Sequence, residues 1–385
     1  MIARFDAIVA GGGPAGAAAA LVLARAGRSV LLAEARPGGF KVGESLPPGV
    51  RPLLRDLGVL ERFERDRHLP AHGTSATWGG GEPRRVDFIF DPNGPGWHVD
   101  RGRFDAMLRD AAREAGAQVR EGLTVRDLRR ERTAGWEVRL GCGGAAGADI
   151  AARRGTRVIE ARCRAIVDAT GRRPQVPRRV GARRHRLDRL VSVYGVVRAV
   201  EGDVDARTLV EAAPGGWWYT ALVPDGRRVI SFITDGDLMP AALRTADGLA
   251  AALDETKHVV ALAAGYLELG PRVAPAHGAV LAPPMGPDWI AVGDAAIALD
   301  PLSSQGILTA LYTGMSGGRA LDASMSGDPT PMQEHVSRIA SIGARYEGAR
   351  AEFYALESRW RDEPFWARRR AGNLVPVRAL ERLRR

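Results

Sequence analysis

The sequence predicts an α/β chain in three parts. These are a Rossmann-like, three-layer dinucleotide-binding domain built from residues 1–78, 99–172 and 275–325, an inserted antiparallel β-sheet substrate domain (79–98 and 173–274), and a C-terminal helical region with a basic tail (326–385). Three observations carry this reading. An apolar N-terminal strand runs into a glycine turn and an alanine-rich helix, β-branched and aromatic runs fill 191–234, and an apolar strand returns at 289–293 ahead of a long helical stretch. At 385 residues the chain is long enough for two cores.

In chain order, FDAIVA at 5–10 reads as a buried strand, Pro14 to Ala26 as a helix and SVLLAEA at 29–35 as the next strand, a βαβ unit. Between the first two lies Gly11-Gly12-Gly13-Pro14-Ala15-Gly16, which satisfies G-x-G-x-x-G. Gly11 suits the tight turn, Gly13 lets a pyrophosphate approach the backbone, and Gly16 lets the helix pack closely on the strand. The helix start offers free N–H groups and partial positive charge to phosphates. Glu34 follows Gly16 by 18 residues and closes the second strand, where a carboxylate accepts hydrogen bonds from a ribose diol.

Farther along, Phe104, Met107, Leu108 and Ala111 fall at helical spacing within 101–116. Strands at 123–128, 136–140 and 157–168, the last two divided by a Gly/Ala loop at 141–148, form a β-meander ending in DATG. Runs at 191–200, 208–212, 217–224 and 228–234 form the second sheet. WIAVG at 289–293 is a buried strand, from which Gly293-Asp294 opens a loop through DPLSSQG to a helix over 306–322. A helical region spans 331–361, and the arginine-rich end, 367–385, is a surface helix or a tail.

Net charge is +10, and only Lys41 and Lys257 are lysines. Residues 151–190 hold 13 Arg against Glu160, Asp168 and Asp188, and residues 359–385 hold 9 Arg against 3 acids. These windows read as solvated arginine-rich surface, with docking of an acidic peptide or phosphate-bearing cofactor as the alternative. Zinc-finger spacing, an RNP motif and a basic zipper are all absent, so no nucleic-acid partner is expected. Two cysteines, Cys142 and Cys163, build neither a disulfide framework nor a metal cage, so a reduced, cytoplasmic setting and no metal are expected. The apolar start runs straight into Gly11 and no apolar run reaches transmembrane length, so neither a signal peptide nor a membrane partner is expected.

Taken together, GGGPAG with Glu34, KVGESLPP at 41–48, DATG at 168–171 and GDAAIALDPLSSQGI at 293–307 resemble the FAD-dependent monooxygenase and halogenase superfamily, with its p-hydroxybenzoate hydroxylase-like fold. DPLSSQGI and the GGWWYTALVP run at 215–224 are similar to the tryptophan-modifying flavoproteins of the lysine-oxidase and glycine-oxidase maturation type. The resemblance implies that FAD is the cofactor. It puts Gly11, Gly13 and Gly16 at the pyrophosphate, Glu34 at the adenosine ribose, Lys41 and Arg101 at the phosphates or ribityl chain, and Asp294 at a ribityl hydroxyl. Ala15, Ala35, Glu44, Ser45, Val125, Gly171 and Gly293 complete the implied cofactor set.

Ser304, Gln305, Gly306 and Ile307, with Ser303, would sit at a helix start whose N–H groups and dipole face the flavin pyrimidine edge. Simple N-capping by the serines and a surface amide at Gln305 are the structural alternatives. The implied reaction is hydroxylation, in which reduced FAD takes up oxygen at carbon C4a and an electron-rich indole or phenol, free or in a peptide, attacks the distal oxygen. Trp78, Trp217, Trp218 and Tyr219 are the candidate substrate wall, with Trp217 and Tyr219 on one strand face and Trp218 on the other, one of which is ordinary core.

Gln305, Glu44 and His72 are the catalytic candidates. His72, like His68 and His98, would serve as a base or be an ordinary surface or core histidine. Glu44 would touch flavin or handle a proton, or else simply bond the loop backbone. Superfamily halogenases carry a lysine shortly after the GES segment and a W-x-W-x-I-P motif. Here residues 45–100 hold no lysine, and 217–224 read WWYTALVP. DATG replaces the DG of single-component hydroxylases and no second glycine fingerprint exists, so NAD(P)H acts directly or through a separate flavin reductase. Halogenation, a geranylgeranyl-reductase-like activity, and a non-catalytic FAD-binding partner protein are the alternatives.

Overall fold

The computed structural model describes residues 2–131, 135–142 and 158–370. The basic tail from 371 onward, most of the Gly/Ala loop and the arginines of 151–157 lie outside the described residues. The strand Ala3–Ala10 is flanked on both sides by parallel neighbours, Val30–Glu34 and Ile159–Asp168, which is why it reads as a nearly unbroken apolar run. Gln118–Glu121 and Trp289–Ala291 extend this parallel sheet at its two sides.

Helices Pro14–Arg25, Arg101–Glu114 and Gly306–Met325 bury their apolar faces on one side of the sheet. A Cβ at Gly314 would lie 2.2 Å from the Ala15 carbonyl oxygen, so the two helices meet at backbone distance there. On the other side Leu123–Arg130 and Trp136–Cys142, continued from Ile159–Asp168 by antiparallel pairing, pack Leu128, Trp136 and Val138 against Ile8 and Leu31. The result is three layers, as expected.

The second sheet runs in the order Ala263–Pro275, Leu190–Ala199, Arg227–Asp235, Gly216–Leu222, Thr208–Ala213, Gly73–Thr77, Arg84–Asp87. It is mixed rather than purely antiparallel. Gly73–Thr77, ahead of the 78/79 boundary, arrives from the first domain by a crossover and pairs parallel with Thr208–Ala213. Helices Val50–Asp56, Leu60–Arg65 and Ala246–Asp254 and the strand Ala263–Pro275 were not legible. The helices are short, and Gly265, Gly270 and Pro271 interrupt the strand pattern.

Helix Thr330–Leu356 packs along Gly306–Met325, and its end, with helix Pro364–Arg370, closes over the second sheet. Among the described residues no helix is long and apolar enough to cross a membrane.

His335 lies between these long helices with Nδ1 2.9 Å from Ser316 Oγ, and burial holds its pKa down to about 4. The unfolded chain binds that proton near pH 6.5, so the folded state is favoured above this pH and its advantage is lost as pH falls toward 4. The stability difference between wild type and His335→Gln should therefore shrink by on the order of 3 kcal/mol from pH 7 to pH 4 in urea unfolding. A pH-independent difference would contradict the neutral assignment.

Candidate cofactor and active site

A cavity of about 800 Å³ opens at the C-terminal edge of the parallel strands and extends to the second sheet. Its cofactor side is built on the glycine turn. Gly11 has φ +102, and a Cβ there would meet the Ala169 oxygen at 2.3 Å; a Cβ on Gly16 would fall 1.8 Å from the Gly11 oxygen. Gly13 differs, because its Cβ would meet nothing within 4 Å and would point into open space. No side chain caps the helix that follows, so its first N–H groups are left for a ligand.

Glu34 and Arg109 hold this turn from behind. Glu34 accepts from the Gly12 and Arg36 N–H groups, both at 2.7 Å, while buried Arg109 donates to Glu121, Gly12 O and Pro37 O. Each Glu34 oxygen keeps a second lone pair for a hydroxyl.

On the adjoining wall Lys41 lies 3.0 Å from Asp105, and Arg101 bonds the same carboxylate from one turn earlier in its helix. Asp105 is fully buried and had no motif to announce it; its one local signal is the spacing to Arg101. Asp168 of DATG is an anchor for its loop, accepting from Thr170, Gln175 and Val176, and burial pushes its carboxyl up. Arg172 pairs with Asp294 at 3.2 Å.

Asp300 caps the turn Pro301–Ser303 through the Leu302 N–H. Ser304 follows at φ 49, a left-handed conformation that costs energy for a non-glycine residue and is characteristic of functional turns. It leads into helix Gly306–Met325, whose start also lacks a side-chain cap and lines the cavity through Gly306 and Ile307.

The structure brings together on the cavity wall Gly11, Gly13, Ala15, Glu34, Ala35, Lys41, Glu44, Ser45, Arg101, Val125, Gly171, Asp294, Ser304, Gly306, Ile307 and Tyr219. Gly16 and Gly293 lie behind it. Each permits close packing, Gly293 because a Cβ would stand 2.7 Å from that of Ala15. Gln305 is the N-cap residue of its helix and is not on the wall; its N–H reaches Ser303 Oγ at 3.3 Å.

The remaining expectations are corrected by packing. His72 is exposed at a strand end, away from the cavity. Trp78 and Trp217 belong to an aromatic core with Tyr354, Phe365 and Trp366, and their indole N–H groups are bonded to Phe353 O and Tyr354 Oη. Trp218 fills the core on the opposite sheet face, against Phe232. His98 is fully buried, donates from Nδ1 to Leu222 O and is held down to about 4 by burial.

The side of the wall on the second sheet is made of Tyr219 with Ser192, Val229, Ser231, Ile233 and Ala274–Ala276. The alternation Val229, Ser231, Ile233 was the available signal for this face.

A parallel sheet with helices on one face and a meander on the other, a glycine turn, two uncapped helix starts and a cavity at the strand ends define a dinucleotide-binding protein. The FAD binding domain family matches residues 4–234, and the chain belongs to it. It is 29% identical over 376 residues to a protein of Marinomonas mediterranea described as an FAD-dependent oxidoreductase, LodB, covering 95% of this chain and 97% of that protein.

Among solved structures, the myxobacterial chondrochloren halogenase CndH superposes with a TM-score of 0.83 at 25% identity, covering 98% of this chain and 88% of that one. The peptidyl tryptophan dihydroxylase QhpG gives 0.76 at 28% identity, covering 95% and 79%. The chain is thus an FAD-dependent oxidoreductase of the monooxygenase and halogenase superfamily.

Proposed function

We propose that the protein is an FAD-dependent monooxygenase that hydroxylates an electron-rich aromatic ring, the indole of a free or peptide-borne tryptophan. The single observation that carries hydroxylation over halogenation is the state of the two lysines. Lys41 is ion-paired with buried Asp105, and Lys257 pairs with Glu82 at the surface at 3.1 Å, which leaves no free ammonium on the substrate wall to direct a halogenating species. Similarity to QhpG supports an indole within a peptide.

The residues present fit FAD. Gly11, Gly13 and Ala15 would hold the pyrophosphate, Glu34 the ribose, and Lys41 and Arg101 the negative charge beyond. The helix start at Gly306 and Ile307 favours negative charge at the flavin edge. When bound and reduced, FAD would supply the two electrons that, with two from the ring C–H, put one atom of O₂ into a ring hydroxyl and the other into water. Val229 and Ile233 present an apolar surface that limits water at the substrate side.

NAD(P)H, directly or through a flavin reductase, delivers the electrons. The test is turnover of a tryptophan tripeptide with FAD, a flavin reductase and NADH, with and without 100-fold excess bromide over peptide. Hydroxylated product whose yield is indifferent to bromide is expected, and brominated product would establish the halogenase reading instead.

A further inference from the structure

Glu44 and Tyr219 come from different halves of the molecule and meet in the cavity. The Tyr219 hydroxyl donates to Glu44 Oε1 at 2.6 Å. Glu44 is 2% exposed, and its other oxygen accepts only the Gly43 N–H, at 3.0 Å. Of the surrounding cations, Arg101 is committed to Asp105 and to the Val42 and Gly43 carbonyls. On the sheet side Arg228 is committed to Asp203 and the Asp205 carbonyl.

The carboxyl is therefore buried beside a phenol, the one cation acting on it, Arg101, is shared with Asp105, and burial pushes the carboxyl up from its ordinary range. Because the Tyr219 proton points at Glu44, the oxygen lone pairs remain for a donor. The group that suits that position is a ring N–H or phenolic O–H.

We propose that Tyr219 and Glu44 are a proton relay that draws the N–H or O–H proton of the aromatic substrate. This rests on the hydroxylase reading above. One proton passes from the ring heteroatom to Tyr219 Oη as the Tyr219 proton passes to Glu44 Oε1. The transfer accompanies attack on oxygen, so the positive charge that would develop on the ring heteroatom is removed as the carboxylate becomes neutral; both protons pass back when the heteroatom is reprotonated, and the ring C–H proton leaves with the second oxygen atom as water. Tyr219 is the residue touching substrate, and Glu44 acts through it. A mere latch between the two halves gains nothing from a phenol that faces the cavity, and it leaves a buried carboxylate as a cost.

The test compares a tryptophan tripeptide with its 1-methyltryptophan counterpart, using FAD-loaded wild type, Tyr219→Phe and Glu44→Gln. Wild type should prefer the N–H substrate by about 100-fold in kcat/KM, as expected of general-base assistance. Tyr219→Phe should lose about that factor on the N–H substrate and treat both alike, with FAD affinity by fluorescence titration unchanged. Calorimetry provides a readout without turnover: indole should bind wild type about 10-fold more tightly than 1-methylindole and bind Tyr219→Phe no more tightly. A Tyr219→Phe variant that keeps the preference, or that loses both substrates equally, overturns the relay while leaving the hydroxylase standing. If wild type hydroxylates neither indoles nor phenols, the functional reading fails and takes the relay with it.

Discussion

Gly13→Val should fold as the wild type does and fail to retain FAD, whereas Gly16→Ala should not reach the native structure. The two glycines lie three residues apart in one turn, yet their surroundings are opposite. Gly13 has φ −72 and ψ −175, a conformation valine adopts readily, and its Cβ would face open space. Stability should change by no more than about 0.5 kcal/mol. The new side chain would stand where the pyrophosphate must approach, and losing one or two charge-assisted hydrogen bonds weakens FAD binding by about 100-fold. At Gly16 an added Cβ would lie 1.8 Å from the Gly11 oxygen, so strand and helix cannot both keep their places. Circular dichroism, thermal melts and flavin fluorescence on the two variants separate these effects. A Gly13→Val protein that purifies with full FAD would contradict the placement of the cofactor.

Arg350→Met should destabilise the fold by about 3–5 kcal/mol in urea unfolding, because it leaves buried carboxylates unpaired. Arg350 is 7% exposed and lies 3.6 Å from Asp188, 3.6 Å from Asp300 and 3.3 Å from Glu347. Burial raises the Asp188 and Glu347 carboxyls, and Arg350 is the cation that opposes this at both. Asp300 also accepts from Tyr354 Oη at 2.8 Å and caps the turn that presents Ser304 to the cavity, so the damage should extend to FAD affinity. Arg198, 78% exposed and paired with Glu268, is the control: Arg198→Ala should cost no more than about 1 kcal/mol. Equal costs for the two substitutions would mean that the buried cluster contributes nothing beyond a surface pair.

The glycine-turn side of the cavity was legible because its signals are local. Gly11, Gly13, Gly16 and Glu34 sit within one βαβ unit, and the strand, turn and helix that give them meaning are adjacent in sequence. The side of the cavity on the second sheet depends on contacts between distant segments. Trp217 and Tyr219 share a strand face, yet one is sealed beneath Tyr354 and Trp366 and the other lines the cavity. Only the docking of residues 330–370 decides which is which, and no period within 215–224 reports it. Lys41 and Asp105 are 64 residues apart, and Glu44 and Tyr219 are 175 apart, so neither pairing leaves a trace in spacing. His72 failed for a simpler reason: a histidine beside a crossing between domains need not face inward, and this one is exposed.

The most direct measurement of the central claim is mass spectrometry of a tryptophan tripeptide turned over under ¹⁸O₂ by the FAD-loaded protein with NADH and a flavin reductase. One ¹⁸O atom in each new ring hydroxyl, with no label taken from H₂¹⁸O in the converse experiment, is the predicted result. NADH consumption that yields only hydrogen peroxide with indoles and phenols alike would contradict it.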